Sequence, residues 1–296
     1  MAERAIDDSD LAGRPTAAAV PLLKIEGRVQ DGVRLFSAQD RGGSRFGILP
    51  TAPANVTGKL VLVDPQGREL PGRLIKVLLV GQGVAAETLT DANGDFMLPV
   101  PASAWGKAAV RFRLENTLWS ITDPDSGKAY EWEAGSVQLP SRRPVPVGTF
   151  RLDPNTANGK IGYIQLQLLE AVDLFEREGL GMKWWPKRLK VLYPGGGDYF
   201  APWSFTLNLT RPEAWDVNLH EFGHAVMDAG MNARGGGGQH KIDECYNEGL
   251  AWSEGWATFL AGAAHLSRDD EDARFEFLVP RRAPIRIENV PADVCQ

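Results

Sequence analysis

His220-Glu221-Phe222-Gly223-His224-Ala225-Val226 contains the pattern H-E-x-x-H. On an α-helix, residues four apart differ by about 40° in azimuth and about 6 Å in rise, so both imidazoles leave one face. That is the geometry two zinc ligands need at about 2.0–2.1 Å each. Glu221 lies about 100° round from His220, beside the metal rather than on it, where it can take a proton from an activated water. With only 4 His in 296 residues, a shuffled chain would contain the motif about 3 times in 1000. The bland alternative is a helix whose two histidines serve solvation or packing.

A catalytic zinc needs a third protein ligand and an open fourth position. No third His follows at H-x-x-G-x-x-H spacing, so the candidates are carboxylates further along: Glu244, Glu248 and Glu254. Glu248 and Glu254 are separated by about 240° of helical azimuth, so one helix cannot aim both at one metal. The face of Glu254 includes Leu250, Ala251, Thr258 and Ala261, a small and largely apolar strip suited to packing on the motif helix. The face of Glu248 includes Glu244, Cys245, Trp252 and Gly255, which is mixed and bulky. Helical faces favour Glu254, with Glu248 as the alternative. An oxyanion donor such as Tyr or His would assist hydrolysis. His240, Tyr246 and Tyr199 are candidates, and none is singled out. His265, about 16 Å beyond Glu254 along the same helix, reads as a packing or surface histidine.

Working outward, Ile161 to Glu178 carries apolar residues at Ile164, Leu168, Val172 and Phe175, the mark of an amphipathic helix. Lys190 to Tyr193 and Ser204 to Leu209 read as strands, split by the turn-rich Pro194 to Asp198. Pro212 marks a helix start and Gly230 its stop. Gly235 to Gly238 then separate that helix from a last one, about Tyr246 to Ala264. The order helix, strands, helix, helix gives an α+β domain over residues 153–296.

The first half has a different rhythm. Residues 1–20 lack periodicity and read as a flexible tail. Across 21–152, short alternating runs such as Lys59 to Val63, Leu74 to Val80, Phe96 to Val100, Ala108 to Leu114 and Tyr130 to Gln138 are punctuated by Asp, Pro, Asn and Gly. Such spacing predicts an antiparallel β-sandwich.

Two resemblances bear on these halves. Gly58 to Asp64, Pro71-Gly72 and Thr90-Asp91-Ala92-Asn93-Gly94-Asp95-Phe96 resemble the transthyretin-like regulatory sandwich of carboxypeptidases over roughly Val56 to Leu152. That likeness implies a non-catalytic module and a secreted or cell-envelope protein, with the cytoplasm as the alternative. In the last third, the H-E-F-G-H-A-V run and Trp252-Ser253-Glu254-Gly255-Trp256-Ala257 resemble the active-site and glutamate helices of gluzincins, the thermolysin and aminopeptidase group. The likeness implies a zincin-like domain with His220, His224 and Glu254 as zinc ligands and Glu221 as general base. The 29 residues between His224 and Glu254 exceed the family's usual gap, and the Gly-rich loop could absorb the excess. Asn247-Glu248-Gly249-Leu250-Ala251 imitates the glutamate motif at a shorter gap. Ser204 to Leu209 resembles the strand on which that group docks extended substrate.

Composition excludes other classes. A net charge of -6 without a basic cluster argues against nucleic acid as a partner. No apolar run is long enough for a membrane span, and no signal peptide opens the chain. Cys245 and Cys295 pair in an oxidising compartment or stay as two buried thiols in a reducing one. The expected activity is zinc-dependent hydrolysis of peptide or protein substrates. The alternatives are a non-catalytic, zinc-containing binding or adhesion module, and a zinc hydrolase of a non-peptide amide or ester. Substrate sequence, endo- or exo-action and oligomeric state are not legible.

Overall fold

The structure, a computed structural model, describes residues 55–139, 144–233, 240, 245–278 and 285–286. Contact density divides the chain into compact units at 1–49 and 50–296. Every described residue belongs to the second, and the tail expected over 1–20 lies outside the described residues. The architecture is α+β.

Eight strands build two four-stranded sheets. The first holds β1 (Asn55–Val63), β2 (Glu69–Pro71), β5 (Asp95–Pro99) and β9 (Val145–Leu152); the second holds β3 (Lys76–Gly81), β4 (Val84–Leu89), β6 (Gly106–Arg113) and β8 (Glu131–Leu139). Alternation sets which side chains turn inward: Phe96 and Leu98 of β5 and Ala108, Val110 and Phe112 of β6 are buried while their neighbours are not. Phe96 meets Phe112 edge-to-face at 5.7 Å, and Phe112 meets Phe150 at 5.3 Å. The second sheet is antiparallel throughout. The first departs from the expected antiparallel pattern, because β9 runs parallel to β1. The cause is its connection: β9 returns from the far sheet as the lead into a helix, and a parallel neighbour needs a long crossover rather than a hairpin.

The turn in Thr90 to Phe96 shows why its residues are what they are. Asp91 Oδ1 accepts from the backbone N–H of Asn93 and Asp95 at 2.8 and 3.0 Å, an Asx turn. Gly94 has φ +78°, and a Cβ there would sit 2.3 Å from the Leu60 carbonyl oxygen. Only glycine serves there.

The connection between β6 and β8 carries β7 (Trp119–Thr122), which joins a third sheet with β10 (Leu189–Leu192), β11 (Tyr199–Ala201) and β12 (Thr206–Asn208). The order is β11-β12-β10-β7, with β10 parallel to both of its neighbours and β11 antiparallel at the edge. A strand from before residue 152 is thus hydrogen-bonded to strands from after it. Helix α1 (Ala157–Arg177) strengthens that union. Its N-cap Thr156 accepts from Gly159 N–H, and its buried positions go well beyond the apolar stripe. Gln165 and Gln167 are fully buried. Gln165 accepts from Trp119 Nε1 at 2.7 Å and donates to Arg73 O at 3.1 Å. Gln167 donates to Pro212 O and accepts from Asn218 Nδ2, both at 2.8 Å. These bonds remove the desolvation cost of burying two amides.

Helix α2 (Trp215–Met231) and helix α3 (Glu248–His265) follow, then the two-residue strands β13 (Arg274–Phe275) and β14 (Ile285–Arg286), which pair antiparallel. Buried Asp216 accepts from three successive backbone N–H groups, Glu276, Phe277 and Leu278, at 2.7–3.0 Å. Those bonds fasten the segment after β13 to the start of α2. Gly223 allows α2 and α3 to touch: a Cβ there would lie 2.8 Å from Ala257 Cα. Helix propensity alone would make Gly223→Ala favourable by about 1 kcal/mol. A backbone clash is the larger effect, and overpacking typically costs about 1–3 kcal/mol. Gly223→Ala is expected to lower the melting temperature and loosen the α2–α3 pair. An unchanged or raised melting temperature would show that the interface yields freely.

Candidate metal centre

Helix α2 carries His220, Glu221 and His224 on its middle turns, braced from behind by Phe222. That ring is fully buried, stacked on Trp185 at 5.4 Å and edge-on to Trp119 at 6.3 Å. Helix α3 brings Glu254 opposite them. His220 Nε2 is 2.9 Å from Glu254 Oε2, His224 Nε2 is 3.5 Å from Glu254 Oε1, and the two Nε2 atoms are 3.2 Å apart. Four donors arranged tetrahedrally at 2.0–2.1 Å from one ion are about 3.3–3.4 Å from each other. The separations of 2.9–3.5 Å span that spacing but run to both Glu254 oxygens, so they define a group close enough to hold a metal ion and not one fixed triangle.

The other ring nitrogens point the same way. His220 Nδ1 is 3.1 Å from Thr258 Oγ1, and His224 Nδ1 is 3.2 Å from Ser253 Oγ. A hydroxyl that accepts from Nδ1–H fixes the tautomer and leaves the Nε2 lone pair free. Two Nε2 lone pairs facing each other at 3.2 Å repel unless a proton or a cation lies between them. The three side chains could hold a metal ion.

Glu248 is placed elsewhere. It is exposed in the first turn of α3, about 9 Å along the axis from Glu254. Its neighbour Asn247 is the N-cap, accepting from Leu250 N–H at 3.0 Å. The imitation of the glutamate motif there is a capping sequence, with an acidic first-turn residue facing the helix dipole. Glu244 lies outside the described residues. Cys245 is disulfide-bonded, while Cys295 lies outside the described residues.

Glu221 sits beside the histidines. Its Oε2 accepts from the backbone N–H of Phe200 at 3.1 Å, which orients the carboxylate from strand β11. Burial raises its pKa; the nearby His220 and His224 work against that rise, and Glu254 and Asp198 add to it. Burial also raises the cost of charging Glu254, but hydrogen bonds from His220 and His224 outweigh it and hold its carboxyl well below the usual range. Burial pulls His224 down, and the hydrogen bond to Glu254 overcomes that, so its pKa is raised.

Of the proposed oxyanion donors, His240 reaches the cluster, with Nε2 2.8 Å from Glu254 Oε2, and its ring meets Tyr246 edge-on at 6.3 Å. Tyr199 is half-exposed on β11, next to Phe200. His265 stacks on Trp215 at 3.9 Å and bonds Glu170 at 2.7 Å, a packing role. The strand expected to dock substrate, Ser204 to Leu209, becomes β12 and lies inside its sheet; the edge is β11. Sequence reasoning placed Thr258 on the Glu254 face but gave neither it nor Ser253 a role toward the histidine rings. Their signal was positional, since they flank Glu254 at one residue before and four after.

No family model and no curated protein matches the chain. Among solved structures, a 9R-lipoxygenase from Cyanothece PCC8801 aligns at 11% identity and a TM-score of 0.21, over 48% of this chain and 26% of that one. The chain thus spans about a quarter of that lipoxygenase. A proposed carbohydrate-binding protein of Pseudomonas aeruginosa aligns at 16% identity and a TM-score of 0.22, over 35% of this chain and 92% of that one. At such scores neither likeness carries an argument. No helix among the described residues is long and apolar enough to cross a membrane.

Proposed function

We propose that the chain is a metal-dependent hydrolase with zinc held by His220, His224 and Glu254. More particularly, it is a peptidase of the gluzincin type, its zincin-like domain attached to a transthyretin-like sandwich. The single observation that carries the reading is the convergence of three donor atoms with a base beside them: His220 Nε2, His224 Nε2 and the Glu254 carboxylate lie within 4.8 Å of one another, and Glu221 flanks them. A structural zinc would have no use for that half-buried carboxylate.

When bound, zinc would lower the pKa of water and polarise the scissile carbonyl. The chain's own groups supply the rest. Glu221 takes the proton from the attacking water and delivers it to the leaving amine. Phe200 N–H keeps the accepting oxygen oriented, while Thr258 and Ser253 keep the two rings from turning. The edge strand β11, adjacent to Glu221, is the backbone on which an extended peptide would lie. A disulfide at Cys245 accords with a secreted or envelope location.

The test is cleavage of a mixed peptide library by the full chain. Cleavage should stop on treatment with a chelator and return when zinc is restored. Zinc bound without cleavage of any peptide would favour the binding-module alternative, and cleavage confined to non-peptide esters or amides would favour the third reading.

A further inference from the structure

We infer that His240 is a positioning residue that holds the Glu254 carboxylate in its metal-binding orientation. The inference rests on the zinc reading above and deepens it. His240 lies in the connection between α2 and α3, sixteen residues beyond His224. Its Nε2 is 2.8 Å from Glu254 Oε2, the oxygen that His220 Nε2 meets at 2.9 Å. Among the described residues, the donor atoms that gather within 4.8 Å are those of His220, His224 and Glu254, and His240 is not of that group. It therefore bonds the carboxylate from outside the ligand triangle.

A carboxylate on one metal bond can swing about its own axis or slide between one-oxygen and two-oxygen binding. A fixed N–H donor on one oxygen removes that freedom and directs the other oxygen's lone pair inward. The two histidines already have such partners, Thr258 and Ser253, both on α3. Glu254 is itself on α3, and none of the hydrogen bonds described for its carboxylate comes from another α3 side chain. His240 supplies such a restraint from outside α3. Among the described residues, each of the three ligands then has an outer partner. Being about one-third exposed, His240 can be replaced without opening the core.

The experiment is zinc affinity, measured by competition with a chromophoric chelator, for the wild-type chain, His240→Ala and His240→Gln. Melting temperatures of the metal-free proteins report on folding. The wild type should bind tightly, His240→Ala about 10–100-fold more weakly, and His240→Gln close to wild type, because its amide N–H can occupy the place of Nε2–H. Unchanged affinity in His240→Ala would overturn the inference alone. A loss well beyond 100-fold that Gln does not rescue would make His240 a ligand and also overturn it. Wild-type protein that binds no zinc would overturn the metal centre itself.

Discussion

Glu221→Gln is expected to abolish peptide hydrolysis while leaving zinc content and fold unchanged. The amide is nearly isosteric with the carboxylate and can still sit beside Phe200 N–H, but it cannot accept a proton from water near neutral pH. General-base action contributes about 10²–10⁴-fold in rate, and turnover should fall by that much. Zinc should stay, because Glu221 lies beside the three donor atoms and is not one of them. The pH profile carries the sign of the same claim. Only ionised Glu221 is a base, so activity should fall on the acid side as its carboxylate protonates. Protons also compete for the ligand histidines, which steepens that limb. A variant with near-wild-type turnover would show that Glu221 is not the base.

Glu254→Ala should weaken zinc binding by more than the 10–100-fold typical of an outer partner, because it removes the only charged ligand of the three. Glu248→Ala, an exposed first-turn change, should leave zinc affinity alone. The metal-free protein offers a second reading. His224 has a pKa raised above 6.5 through Glu254, so the pair contributes stability that is present below pH 6.5 and lost as pH rises through the raised value. Removing Glu254 should therefore destabilise the metal-free protein more at pH 6 than at pH 8. Melting curves at the two pH values check the sign. If Glu248→Ala proved the more damaging change in the metal titration, the third ligand would have to be reassigned.

The sequence displayed the parts of this molecule whose signals are local. The H-E-x-x-H spacing is a property of one helix, and α1, α2 and α3 fall within a few residues of where the periodicity and Pro212 put them. Strands β1, β3, β5, β6 and β8 follow the alternating runs. What was not legible is what depends on partners distant in sequence. The parallel pairing of β9 with β1 joins segments about ninety residues apart, and nothing in either segment specifies direction. Strand β7 is four residues inside a connection, and its partner β10 lies seventy residues on. Gln165 and Gln167 lie off the apolar stripe of Ile164, Leu168, Val172 and Phe175, yet each is buried because an indole N–H, backbone carbonyls and Asn218 from other elements meet it. At the site, helical faces separated Glu254 from Glu248. Thr258 read as part of the packing strip beside Glu254 and Ser253 carried no signal, since a hydroxyl's role depends on which ring it meets. His240 was named among several donors, but its contact with Glu254 joins residues that no helical periodicity relates.

Metal analysis of the purified chain, equilibrated with zinc and freed of excess, tests the metal centre most directly. One tightly held zinc per chain is expected, falling toward zero when His220 and His224 are both replaced by alanine while the protein stays folded. A wild-type chain that retains no zinc under these conditions would contradict the account at its centre.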